Sequence, residues 1–477
     1  MRIFTAVVTV ALAATVGPAP SSDATSLPVL KSTRPVVSVQ EGSTLRKDSW
    51  TLAPEVSPDI YEVALPAGAK VTVTFSTDVD RITFSVEEGS RHDFIIQHGS
   101  DRCLTRIVGV RLVPAAVFDA AYRSANAGKI SAEVPEVYEL VNVAMALTPT
   151  GIEDRNLIYQ GSEYYKAVRA WFDPYRDQPV VAALDAALRQ GPGVYPRLKM
   201  NGYAFVFDPN SRIVQSPVYD RTSFAGERSN ALRPFIEGLQ SFADASRFRA
   251  FYAQNQPTYA AQIDFFRSAA DVEGMRSWLN SNFPGATPYD SYKIIFSPLV
   301  AYNQSATWLE SEGFKELQAH VNYPYPEDIA RRSQGAKLSP RAEAVLRSDI
   351  VFTELNHGYI NPEADRQAAR IVAAISRRDR WVDVTRGPDY YGGISLFNEY
   401  MNWALVSLRI ADIAPVEDQA TLVDCVDRMM TQRRGFPRFA VFDAHLLNLY
   451  RQRPPGTTVA SLYPQIIAWF EKENALP

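Results

Sequence analysis

The hydrophobic period changes along the chain, and the changes mark its parts. From Trp50 to about Val113 apolar and polar positions alternate in short runs. Val71, Val73 and Phe75 are separated by Thr72 and Thr74, Ile82, Phe84 and Val86 repeat the pattern, and Phe94-Ile95-Ile96 is a third apolar run. A period of two is that of a strand with one buried face. Pro66-Ala67-Gly68, Glu88-Gly89-Ser90 and His98-Gly99-Ser100-Asp101 separate the runs as turns. Residues 49–115 are therefore expected to form a small antiparallel β domain, with His92 and His98 on its surface loops. Residues 25–48 are rich in Ser, Thr, Pro and Lys/Arg with little apolar periodicity, and read as a linker.

Beyond the β segment the period becomes helical. Val137, Leu140, Val141, Ala144 and Leu147 form an i, i+3, i+4, i+7 stripe after Pro135, and Tyr164, Val168, Trp171, Phe172 and Tyr175 form the next. Further stripes run through Phe235–Phe242 and Phe248–Tyr252, so residues 116–290 are expected to be helical. These aromatic stripes read as core. In residues 291–477, Tyr292 to Phe296 reads as a strand stopped by Ser297-Pro298. Ser339-Pro340 then caps a helix that continues through Glu354 and His357 and is ended by Gly358 and Pro362. A second helix from about Ser395 to Ala411 carries Glu399, and helices from Gln419 complete the chain. The expected class is α+β.

A chain of 477 residues is too long for one simple core and points to two or three domains. A net charge of −4 gives no attraction for nucleic acid, so none is expected as a partner. The short clusters Arg377-Arg378 and Arg433-Arg434 read as solvated faces. Arg2, the apolar run Ile3 to Val16 and the small residues Ser22-Asp23-Ala24 read as a signal peptide over 1–24, which implies export to the periplasm or the exterior. No other run is apolar enough to span a membrane. Two cysteines, Cys103 and Cys425, either pair in an oxidising compartment or stand as separate buried thiols.

The candidate chemistry lies in Thr353-Glu354-Leu355-Asn356-His357. In H-E-x-x-H the two His share one helical face and bind zinc while the Glu acts as general base. Here Glu354 and His357 are present and Thr353 stands where the first His belongs. The bland alternative makes Glu354 an exposed helical carboxylate and Glu399 a surface residue paired with Arg409 or another cation. No nucleophile elbow, P-loop or glycine-rich dinucleotide turn competes with the zinc reading. Glu354-x-x-His357 also matches half of a di-iron motif, but the chain has no second half.

Several segments carry a family resemblance. They are Val134-Pro135-Glu136-Val137-Tyr138-Glu139-Leu140, Ala146-Leu147-Thr148, Tyr164-Tyr165 with Trp171-Phe172, Ile294 to Leu299, and Glu354 to His357 with Asn361-Pro362. In that order they resemble a domain-of-unknown-function family of exported bacterial proteins, which looks like a branch of the gluzincin (thermolysin-like) metallopeptidases. The resemblance covers about residues 46–475. It implies a gluzincin-like metallopeptidase domain in 291–477, with Glu354 as catalytic base, His357 as zinc ligand and Glu399 as third ligand, and a peptide or protein as substrate. Thr353 departs from the pattern. Its hydroxyl is neutral and shorter than an imidazole, so zinc is expected to bind weakly or not at all. Three functions stay open: a degenerate peptidase with little activity, a binding protein that kept the cleft, or an active hydrolase with a substitute ligand. His445 is a candidate transition-state donor or substitute ligand, and its bland alternative is a core histidine. His320 is the other histidine of the region and lies far along the chain.

Overall fold

The computed structural model describes residues 27–476 except 53–57, 225–226, 287–288, 384 and 386–391. The expected signal segment lies outside the described residues. The chain is α+β, as its periodicities predict.

The N-terminal unit holds eight strands: β1 (Val29–Ser32), β2 (Val36–Glu41), β3 (Thr44–Thr51), β4 (Asp59–Leu65), β5 (Lys70–Ser76), β6 (Arg81–Glu87), β7 (Arg91–His98) and β8 (Asp101–Arg111). They form two four-stranded sheets of order β1-β7-β8-β4 and β3-β2-β5-β6. The second sheet is antiparallel throughout. The first is mixed, because β1 pairs parallel with β7 and β4 parallel with β8. Val37, Val39, Val73 and Phe75 of one sheet share a core with Val63, Phe94, Ile96 and Ile107 of the other. The expected linker is thus corrected. Leu30, Val37 and Val39 are buried in this core, while Lys31, Thr33 and Arg34 between them are exposed. So few inward positions per strand carry little periodic signal on their own.

The remaining residues share one hydrophobic core from Ala116 to Phe470, so the expected division at 290 is not a boundary between cores. The short strand β9 (Ile130–Glu133) shows why. The hairpin of β10 (Phe205–Phe207) and β11 (Ile213–Gln215) stands apart, but β9 crosses into the sheet made by β12 (Ser291–Ser297), β13 (Ser305–Ser311) and β14 (Phe314–Asn322). The order is β13-β14-β12-β9, with β13 antiparallel at one edge. Its turn uses Glu312 and Gly313, both at positive φ (49° and 79°), as a tight hairpin of primed type requires. β12 is buried along its whole length.

The motif helix spans Asp349–Arg366 and packs between this sheet and the Gly393–Ile413 helix. The Ser339-Pro340 cap holds, with the Ser339 hydroxyl accepting from the Ala342 N–H, but that helix ends at Arg347 and the motif helix starts afresh after Ser348. Gly358 and Pro362 do not end it. A Cβ on Gly358 would stand 2.6 Å from Leu317 Cδ1 and 2.8 Å from Tyr289 Cε2, so glycine lets the helix close on the sheet. Pro362 has no N–H for the carbonyl four residues earlier, which is that of Gly358. The Tyr289 hydroxyl donates to that carbonyl instead, at 3.2 Å. The helix continues because a tertiary donor satisfies the group that proline orphans.

Cys103 lies in the core of the β unit and Cys425 in the main core as separate buried thiols, so the bridged alternative is not realised. Among the described residues no helix is long and apolar enough to cross a membrane.

Candidate functional site

Ile350, Thr353, Glu354, His357 and Asn361 lie on one face of the motif helix and line a cleft of about 940 Å³. The spacing i, i+3, i+4, i+7 is that of a single helical stripe. Glu399, Asn402 and Trp403 line the facing wall from the Gly393–Ile413 helix, again at i, i+3 and i+4. Ser305, Ala306 and Trp308 of β13 border the third side. All three expected site residues, Glu354, His357 and Glu399, therefore meet in one cavity. Neither bland alternative holds in full: Glu354 is buried, and Glu399 pairs with a cation that is Arg434, while Arg409 pairs with Asp271.

The detailed geometry decides what the cleft can hold. His357 Nε2 stands 3.8 Å from Glu399 Oε1. Asn361 Oδ1 lies 3.3 Å from His357 Nδ1, and Asn402 Nδ2 lies 3.1 Å from Nε2. With the amides so oriented, Nδ1–H donates to Asn361 and the Nε2 lone pair accepts from Asn402. The imidazole thus presents the nitrogen a metal would use, but an amide already addresses it. Arg434 donates to Glu399 Oε2 at 2.8 Å, and its guanidinium sits over the Trp403 ring at 5.4 Å. The Thr353 hydroxyl turns back and donates to the Ile350 carbonyl at 2.8 Å. Among the described residues no group of three or more His, Cys, Asp or Glu is placed to share an ion. A catalytic zinc needs three protein ligands, and among the described residues two are present, one of them held by a guanidinium. The donor set does not fit that metal.

Burial raises the pKa of Glu354 above the usual carboxylate range; neighbouring His357 opposes the shift and Glu399 adds to it. Beneath the cleft wall lies Lys199, fully buried. Its ammonium donates to the Asn303 carbonyl and lies 3.4 Å from Asn303 Oδ1, on the loop leading into β13. Burial lowers the Lys199 pKa to about 7, against the pull of Glu354.

The substitute ligands considered from sequence lie elsewhere. His445 stacks on Trp469 with centroids 5.6 Å apart, outside the cleft lining. His320 is a fully buried core residue beside Tyr138, with Nε2 3.3 Å from Gln318 Oε1. Asn356 points between helices and donates to the Asn402 carbonyl at 3.1 Å.

Sequence reasoning missed Asn402, Arg434 and Lys199. Asn402 was within reach, because it shares the Glu399 face of one helix. The Arg433-Arg434 pair, expected on a solvated face, lines the cleft; Arg433 is exposed there and Arg434 is half-buried. It follows a π-helical turn at Met429–Arg433, and Gly435 at φ 75° reverses the chain after it. Lys199 carries no local signal.

Set against family models, curated proteins and solved structures, the chain matches none.

Proposed function

We propose that this chain is an exported, gluzincin-like peptidase homologue whose cleft binds peptides, and whose zinc site is degenerate. It holds zinc weakly or not at all and has little or no peptidase activity. The observation that carries this reading is the Arg434–Glu399 pair at 2.8 Å: a guanidinium balances the carboxylate that would otherwise serve a metal. The turned-back Thr353 hydroxyl supports it from the other side. Without a metal, water in the cleft keeps a pKa near ~15.7 rather than ~7, so Glu354 has no activated nucleophile to deprotonate.

Peptide binding rests on the third wall. β13 lies at the edge of its sheet, the position to which a peptide strand adds. Trp308, 40% exposed on this strand, and Phe224, 38% exposed beside it, offer apolar contacts for peptide side chains. The test is metal analysis of the full chain after incubation with zinc and gel filtration, with a parallel peptide-cleavage assay. Substoichiometric zinc and negligible cleavage are expected. Stoichiometric zinc with cleavage would overturn the proposal in favour of an active hydrolase with another ligand.

A further inference from the structure

We propose that Arg433 is the anchor for a carboxylate of the bound peptide, an inference that rests on the peptide-cleft reading above. Charged side chains of both signs line the cleft. Arg434 is matched by Glu399. The fractionally exposed pair leaves no net charge to attract a ligand. Glu354 lines the same cleft and is buried. Two further charged residues line the cleft, neither in an ion pair among the described residues: Asp154, whose Oδ1 accepts from the Asn156 N–H at 2.8 Å, and Arg433. Arg433, exposed at the cleft, is the cation that a ligand carboxylate would answer.

Arg433 is also held in place. Its guanidinium sits over the Tyr302 ring, 4.8 Å from the centroid. Tyr302 is itself fixed, because its hydroxyl donates to Asp328 at 2.6 Å and receives a further bond from Arg331. A guanidinium held over a ring can still turn N–H groups to a carboxylate, which it grips with two parallel hydrogen bonds. The backbone limits its motion as well. Arg433 closes the π-helical turn, and the reversal at Gly435 is tied by the Phe436 N–H to the Met430 carbonyl at 3.0 Å and by the Asp383 N–H to the Gly435 carbonyl at 2.7 Å. A stacked, backbone-fixed guanidinium loses little freedom on binding, so most of its charge-assisted hydrogen bonding appears as affinity. The carboxylate has two sources in a peptide, an acidic side chain or the C-terminus, and both carry the same chemistry.

The experiment uses the full chain and three probes built on one alanine-based heptapeptide with a single phenylalanine. One probe is capped at both ends and neutral, one has a free C-terminal carboxylate, and one is capped but carries a glutamate. Binding is measured by calorimetry at fixed ionic strength for the wild type, Arg433→Gln and Arg433→Lys, with thermal unfolding as the check that each variant is folded. In the wild type at least one acidic probe should bind about tenfold or more tightly than the neutral one. Which one does so identifies the carboxylate source. Arg433→Gln should collapse that ratio toward one, and Arg433→Lys should keep part of it, since lysine retains the charge but not the fork. Equal binding of neutral and acidic probes, or a ratio that survives Arg433→Gln, overturns the anchor and leaves the peptide reading standing. Binding of none of the three overturns the peptide reading and the anchor with it.

Discussion

Replacing Thr353 by His tests the degenerate site most directly. The substitution puts an imidazole four residues before His357 on the same helical face, completing a His2Glu set with Glu399. The two donors already present are close to the separation a metal needs. Tetrahedral zinc with bonds of about 2.0–2.2 Å sets its ligand atoms about 3.4 Å apart, and His357 Nε2 and Glu399 Oε1 stand at 3.8 Å. Two contacts must be given up when an ion enters. The Arg434–Glu399 pair is partly exposed, at 28% and 13%, and such pairs stabilise by only about 0.2–1 kcal/mol. The Asn402–His357 hydrogen bond contributes about 0.5–1.5 kcal/mol. Both costs fall on the wild type and on Thr353→His alike, so the ratio of their zinc affinities isolates the third ligand. Changes in outer partners of metal ligands alter affinity about 10–100-fold, and a direct ligand should do at least as much. Thr353→His is therefore expected to raise zinc affinity about tenfold or more. Adding Arg434→Met removes one of the shared costs and should gain about a further two- to fivefold. The assay is competition titration against a fluorescent zinc chelator, with Glu354→Gln as a control that should spare metal binding. Tight stoichiometric zinc in the wild type, or no gain in Thr353→His, would refute the reasoning.

Three further outcomes follow from the packing around the motif helix and the core. Tyr289→Phe strands the Gly358 carbonyl and should cost about 1–2 kcal/mol by denaturant unfolding, but much less in a Pro362→Ala background, where the helix regains its own N–H donor; equal costs in both backgrounds would sink this account. Gly358→Ala gains about 1 kcal/mol of helix propensity, yet its Cβ meets Leu317 and Tyr289 below 3.0 Å, and overpacking costs about 1–3 kcal/mol. Net destabilisation is expected, relieved by Leu317→Ala, and a stabilised Gly358→Ala would contradict it. Asp443 is fully buried, and burial, reinforced by Asp427 and opposed by the Ser407 hydroxyl, pushes its pKa well above the usual range. A raised folded-state pKa means that stability is fully present below the unfolded value near ~4 and falls as pH rises toward the folded value. Asp443→Asn should therefore gain on the wild type steadily from about pH 4 to 8 in urea-unfolding midpoints, whereas parallel pH profiles would show that Asp443 does not titrate as argued.

How far the sequence alone carries depends on the range over which each feature is decided. The strands β5, β6 and β7 and the helices at Glu136–Ala146, Glu163–Phe172 and Gly393–Ile413 follow from periods of two and 3.6 that repeat within a few residues. The stripe of Glu354 and His357, and the placing of Glu399 on a second helix, were legible for the same reason: a helical face is a local property of the chain. The strands β1 and β2 were not legible, because each offers only one or two inward apolar residues and takes its stability from partners across the sandwich. Gly358 and Pro362 look like a helix end when only their neighbours are considered. They become interior positions because Leu317 and Tyr289 fill the space and supply the missing donor.

The site divides along the same line. The sequence determined that a carboxylate and an imidazole would share one helical face and that a threonine would replace the first histidine. Only the tertiary structure decided that Arg434, 35 positions away, answers Glu399, and that Lys199 reaches Asn303 across 104 positions. Such contacts arise from helices docking on a common core, and no repeat within the chain records them. Hydrophobic period writes the elements into the sequence; the pairing of charges inside the cleft is set by which elements pack together, and that is fixed only when the core closes.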